Sequence, residues 1–404
     1  MYALLATLVR TPSITGTVVE HEALADVARW LASTGLEVDH WKVDLDALLD
    51  DPDFPGLEAP RTEAWGLVGR LPGRGDGPTL MLNGHVDVVP AGDGTSWVGG
   101  DAFSAQVRGD ALHGRGTCDM KGGLVAALWA VWALRRCGAP LRGDLLLACV
   151  QGEEDGGLGT FATLKRGWRA DACVVPEPTS LDLVPAAAGA LTFRLRILGK
   201  AVHASRHREG ISAMGKLWPV WRALEELERE RNLVVDPLFQ RWEISYPLSI
   251  GTVVSGVWAS SIPDLLIAEG RLGVALGEPV EEARAALERA VSDACKRDPW
   301  LSAHPVVVEW WGGQFASGQL AADSDLLQRV AAAHNVAVGG HQETWGAPYG
   351  SDLRLLNAHG IPTVHYGPGD AGLAHGPDES VPLAEVAAAA RTLTALALDA
   401  CGVC

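Results

Sequence analysis

The chain has 404 residues, 48% of them hydrophobic and 21% charged, which is too long for one compact core and fits two or three domains of ordinary size. Its 33 Lys and Arg stand against 50 Asp and Glu, a formal charge of −17; such an excess repels phosphate backbones and anionic bilayers, so no nucleic acid or membrane partner is expected. Apolar stretches fall short of the roughly 20 residues of a spanning helix, the opening MYALLATLVRTPS has no basic region ahead of its apolar residues, and seven scattered cysteines suit reduced thiols. A cytoplasmic location is the expectation.

In chain order, Leu24, Val27, Ala28 and Leu31 recur at helical spacing between Glu20 and Thr34, with Gly35 as the stop. Strands are expected at 36–41, 66–71 and 79–83, followed by a loop rich in Gly, Pro and Asp from Pro90 to Gly100. Residues 121–137 read as an apolar helix ended by Gly138, and DLLLACVQ (144–151) and DACVVP (171–176) as buried strands separated by another helix. This alternation implies an α/β fold with a mostly parallel sheet covered by helices on both faces. After Gly189 the texture changes to an alternating strand at 191–198, helices at 211–232 and 279–297, and a strand at 265–276. That pattern suggests a smaller α+β domain with one solvated face. The βα texture returns after Gly312, with a helix near 325–334, a strand at 361–366 and a last helix from Leu383. The expected architecture is a discontinuous catalytic domain of residues 1–188 and 313–404 with an insert of residues 189–312.

Five short segments gather the candidate metal ligands: NGHVDVVP with His85 and Asp87, GRGTCDMKGG with Asp119, QGEEDGG with Glu153 and Glu154, PEPT with Glu177, and LAHGPDE with His375. His85, Glu153, Glu154 and Glu177 each lie within three residues of the end of an expected strand. Asp119 precedes a helix, and His375 follows the last strand. Open parallel sheets bind ligands at the carboxyl ends of their strands, so the segments converge on one edge. Imidazoles with carboxylates suit Zn, with Co or Mn as alternatives, and the number of ligands suggests two ions about 3.5–4 Å apart. Asp87 is placed to hydrogen-bond the His85 nitrogen that faces away from the metal. Glu153 and Glu154 point in different directions and divide as base and ligand.

These segments resemble, in family order, the co-catalytic metallo-amidohydrolases that include acetylornithine deacetylase, succinyl-diaminopimelate desuccinylase, aminoacylase and glutamate carboxypeptidase. GKAVHAS, SSIPD and GSDLR extend the likeness over nearly the whole chain. The resemblance implies His85, Asp119 and Glu177 for one metal, Asp119, Glu154 and His375 for the other, and Glu153 as general base. It further implies that the insert dimerises and closes over the site, with His203 of a partner subunit reaching the oxyanion. Arg271 aligns with an arginine that holds a substrate carboxylate. Ser260 and Ser261 stand where relatives commonly carry Asn, and Glu at 177 goes with deacylases and carboxypeptidases.

The expected activity is hydrolysis of an N-acyl amino acid by a homodimer. A carboxypeptidase or dipeptidase is the alternative within the enzyme class, and a metal-free binding homologue the alternative outside it. Trp129, Trp132, Trp218 and Trp221 read as helix-face packing, the terminal CGVC as a frayed end, and Cys118 as a thiol beside Asp119 at which a reagent would crowd the site.

Overall fold

The computed structural model describes residues 1–97 and 99–404; Val98, inside the loop expected at 90–100, lies outside the described residues. The chain forms two compact units. Met1–Ala186, Gln319–Trp345 and Ser351–Cys404 make the first, and Ala187–Gly318 with Gly346–Gly350 the second.

The first unit is built on a nine-stranded mixed sheet. Its order is β1 (Glu37–Lys42), β2 (Trp65–Leu71), β6 (Leu145–Val150), β3 (Leu80–His85), β7 (Ala172–Val175), β15 (Thr363–His365), β8 (Leu183–Ala187) and β13 (Gly318–Gln319), with β14 (Thr344–Ala347) also paired to β8. The expected parallel run is present at the centre, where β6, β3, β7 and β15 are parallel neighbours. The flanks differ: β2 is antiparallel to β1 and to β6, and β15 is antiparallel to β8. A parallel neighbour needs a crossover, usually a helix. The helices Gly122–Cys137 and Leu158–Lys165 follow β3 and β6 and supply it at the centre, whereas only a five-residue helix, Leu45–Leu49, lies between β1 and β2.

The continuous apolar run of β6 follows from burial on both faces. Leu145, Leu147 and Cys149 enter the core beneath the helices Val18–Ser33, Gly122–Cys137 and Leu383–Ala400, while Leu146, Ala148 and Val150 enter a second core with Phe161 and Leu356. Each fully buried leucine contributes about 1.5–3 kcal/mol of transfer free energy. A separate sheet of β16 (Ser380–Pro382), β5 (Ala111–His113) and β4 (Gln106–Arg108) joins two segments that flank the site described below. The chain end is not frayed: Cys401 is buried, and its carbonyl and that of Gly402 accept from Gly143 and Arg142, while the Cys404 N–H donates to Pro140.

The second unit has four antiparallel strands in the order β10 (Leu248–Ser255), β11 (Leu265–Val274), β9 (Gly189–Leu198), β12 (Val307–Phe315). The alternation in β9 sends Leu191, Phe193, Leu195 and Ile197 into one core, shared with Val220 and Leu224 of the helix Ala213–Arg231 and Leu287 and Val291 of the helix Val280–Lys296. The intervening Arg194 instead pairs with Glu269 and Glu309 on neighbouring strands. A period of two with one dry face is the pattern of a sheet covered on one side. Trp129 and Trp132 stack on each other at 4.6 Å, whereas Trp218 is 65% exposed and takes no part in the core.

Candidate metal centre

The parallel centre of the sheet brings the predicted ligands to one edge. His85 is the last residue of β3 and lies opposite Val150, the last residue of β6, so the turn carrying Glu153 and Glu154 begins just beyond it. Glu177 follows β7, and His375 follows β15 after a short turn at Ala371–Leu373. Asp119 sits in the turn Thr117–Lys121, where its backbone leaves the helical region (φ −114°, ψ 94°) before the helix Gly122–Cys137 begins. Gly123 is required at that helix start: a Cβ there would fall 1.8 Å from the Pro176 carbonyl oxygen, so only glycine lets the helix lie against the segment carrying Glu177.

Asp119 lies between two imidazoles. Its Oδ1 is 3.2 Å from His85 Nε2 and its Oδ2 is 3.4 Å from His375 Nε2. Glu177 Oε1 stands 3.9 Å from the same nitrogen of His85, and Glu154 Oε2 is 3.2 Å from that of His375. Ligand atoms of His85, Asp119 and Glu154 all fall within 4.8 Å of one another. Glu153 is buried and feels the charges of Asp352, Glu177 and Glu154 and that of His85.

Asp87 plays a different part from the one expected. Its carboxylate is 3.7 Å from His85 Nδ1, and the ring nitrogen bonds instead to the Asp87 carbonyl at 2.9 Å. The carbonyl can only accept, so Nδ1 carries a proton and Nε2 is the nitrogen turned toward Asp119. The Asp87 carboxylate accepts from the N–H groups of Glu153 and Glu154, both at 3.3 Å, and from the Thr15 hydroxyl at 3.0 Å. It therefore caps the turn that carries the proposed base and ligand.

Burial and then the charge of Asp352 push Glu153 well up, and burial and the charge of Asp119 do the same for Glu177. Burial pulls His85 down, but its hydrogen bond to Asp119 and the charges of Asp87, Glu177 and Glu153 outweigh it and hold the ring well above its usual range. His375 is driven up to about 11, first by Glu154. Burial would raise Asp119 too, yet the hydrogen bonds of His375 and His85 keep it well below the usual carboxylate range. Among the described residues, the ion-pair partners of Asp119 and Glu177 are imidazoles, not Lys or Arg. Buried carboxylates in such number need positive charge beside them. The donor set of imidazole nitrogen and carboxylate oxygen fits a divalent metal.

His203, Arg271, Ser260 and Ser261 belong to the second unit. His203 pairs with Ser261 in an isolated bridge, and its Nδ1 accepts from the Ser205 N–H at 3.2 Å. Arg271 lies on β11 with its guanidinium 5.7 Å from the centre of the Phe315 ring. Cys118 is fully buried against Glu379, and burial and that carboxylate push its thiol well up, so the expected attack by a thiol reagent is removed.

Several supporting residues escaped the sequence reading. Arg61 is buried between Glu20 (3.0 Å) and Asp155 (2.7 Å), the residue after Glu154. Thr160 donates to Asp352 at 2.5 Å and accepts from Asn83 at 2.8 Å, and Arg354 donates to the Gly156 carbonyl at 2.6 Å. His365 is buried at the end of β15 with Nε2 2.8 Å from the Ser351 hydroxyl, and burial lowers its pKa to about 3. Arg115 and Glu379 pair at 2.6 Å. They stand inside the quoted GRGTCDMKGG and LAHGPDE segments, which was the available signal; Arg61 had none.

Residues 81–399 match the family described as peptidase family M20/M25/M40. The chain is 27% identical over 351 residues to N-formyl-4-amino-5-aminomethyl-2-methylpyrimidine deformylase of Halalkalibacterium halodurans, covering 80% of this chain and 79% of that one. It is 35% identical over 212 residues to succinyl-diaminopimelate desuccinylase of a Methylobacterium species, across 50% of this chain and 49% of that one. In fold it resembles the di-peptidase Dug1p from Saccharomyces cerevisiae, with a TM-score of 0.79 at 16% identity over 98% of this chain and 94% of the other.

Proposed function

The chain belongs to peptidase family M20/M25/M40 and is a hydrolase, and we propose that it removes the acyl group from N-acyl amino acids by attack of water on the amide carbonyl. The observation that carries this reading is Asp119, whose two oxygens face two imidazoles, one flanked by Glu177 and the other by Glu154. His85, Asp119 and Glu177 would hold one divalent ion and Asp119, Glu154 and His375 a second, with Zn as the proposed metal and Co or Mn as alternatives. Such ions, when bound, polarise a carbonyl and lower the pKa of water.

Glu153 takes a proton from the attacking water and returns it to the departing nitrogen, so that the C–N bond breaks to give a carboxylate and a free amine. Asp87 holds the backbone of that base in place through the two N–H groups it caps. His203 of a second copy of the chain acts as a donor to the oxyanion: its Nδ1 accepts from Ser205, so the proton of the neutral ring stands on Nε2. Arg271 takes the substrate carboxylate through its planar guanidinium.

The second unit serves as a lid and dimerisation domain, and a second copy of the chain docks on it. The outer strand β10 and the turn after it expose Val253, Val254, Val257 and Trp258, and a sheet edge of this kind invites pairing. Among the described residues no helix is long and apolar enough to cross a membrane, and the free cysteines suit a cytoplasmic setting.

The test is amine release from N-acetyl, N-formyl and N-succinyl amino acids and from dipeptides, with added Zn, Co or Mn and Glu153→Ala as control. Turnover of acyl amino acids lost in the variant supports the proposal, with a fall of about 10²–10⁴-fold expected for a missing general base. Turnover of dipeptides alone makes the enzyme a peptidase, and silence across a metal-loaded panel makes it a binding homologue.

A further inference from the structure

Two charged residues outside the ligand set touch the backbone of both halves of the centre. Arg115 and Glu379 are 3% and 1% exposed and come from segments more than 260 positions apart in the chain. Arg115 Nη1 donates to Glu379 Oε2 at 2.6 Å. The other carboxylate oxygen, Oε1, accepts from the N–H of Cys118 at 3.1 Å and of Asp119 at 3.3 Å. On the opposite side, Arg115 donates from Nη2 to the His375 carbonyl at 3.1 Å and from Nη1 to that of Gly376 at 3.3 Å. His375 needs this support because its φ is +62°, in the left-handed region that a non-glycine residue adopts at a cost. The guanidinium carbon lies over the Trp97 ring, 4.9 Å from its centre, and the β5–β16 ladder, with His113 opposite Ser380, ties the same two segments together.

We propose that Arg115 and Glu379 are a positioning pair that sets Asp119 and His375 at the spacing needed for the ion they share with Glu154. The inference rests on the metal reading above. It assigns to a buried ion pair a task that packing alone does not require: the fork of Arg115 grips the carbonyl of one ligand residue while its partner carboxylate grips the N–H of the other. Lysine cannot replace that fork, since one ammonium cannot reach Glu379 and two carbonyls in a fixed plane. Glutamine at 379 keeps an acceptor for the Asp119 N–H but loses the charge that holds Arg115.

The experiment titrates metal-free wild type, Glu379→Gln and Arg115→Lys with Co(II), follows the visible absorption of the bound ion, and records thermal unfolding of the same samples. Wild type should fill two sites. In both variants at least the site that includes His375 should weaken by about 10–100-fold, the usual effect of losing a partner behind a ligand, with a changed absorption band. Glu278→Gln, which breaks the Arg231–Glu278 pair of the second unit, should lower the unfolding temperature and titrate as wild type. Arg115→Lys keeps its charge, so the test survives if Glu379→Gln does not fold. Wild-type affinity and spectrum at both sites in the folded variants would overturn the positioning role alone, whereas a wild type that binds no Co(II) would overturn the metal reading and this inference with it.

Discussion

His365 should make the stability of the first unit fall in mild acid, and replacing it with glutamine should flatten that fall. Its neutral ring accepts from the Ser351 hydroxyl at 2.8 Å and, among the described residues, Nδ1 is buried without a partner, so the folded state has no place for a second ring proton. The folded pKa is about 3, against about 6.5 for an unfolded histidine. Between those values the unfolded chain carries a proton that the folded chain does not, and stability drops as pH falls. Its contribution is intact above pH 6.5 and lost progressively toward pH 3; by linkage, about 2 kcal/mol disappears between pH 8 and pH 5. A glutamine side chain at this position would keep an acceptor for Ser351 and cannot titrate. Urea unfolding of wild type and His365→Gln from pH 8 to pH 5 isolates the term, because the carboxylates common to both cancel in the difference. Curves that stay parallel over that range would refute the burial argument.

Asp87→Ala should leave the N–H groups of Glu153 and Glu154 without their acceptor, costing about 1.5–3 kcal/mol in thermal or urea unfolding, with metal affinity down about 10–100-fold by calorimetric titration. Thiol labelling of the native protein should reach the exposed Cys137 and Cys404 first and spare the buried Cys118, with activity intact; labelling at Cys118 by peptide mapping would contradict its burial. Gly123→Ala should cost about 1–3 kcal/mol or more in unfolding experiments, because the added Cβ meets the Pro176 carbonyl oxygen at 1.8 Å and must drive the helix from the segment bearing Glu177.

The candidate ligands were legible in the sequence because local rules place them. A short apolar run such as LLLACV, buried on both faces, must be a central strand, and the polar residues that end it must emerge at the sheet edge. The same logic located His85, Glu177 and His375 without knowledge of strand order. The outer strand β10 was not legible, since at a sheet edge it is mostly exposed and shows no alternation of buried and exposed residues.

Tertiary structure alone decided the rest. No spacing rule says that the Asp87 carboxylate caps Glu153 and Glu154 rather than bonding His85, nor that the antiparallel flanks begin at β2 and β8. Arg115 meets Glu379 across 264 positions, and Thr160 meets Asp352 across 192. The sequence determined which groups could bind and transfer a proton, because that depends on residue type and on the end of a strand. The structure decided which of them are held, and by what, because a hydrogen bond depends on a few tenths of an ångström between segments that only the packed core brings together.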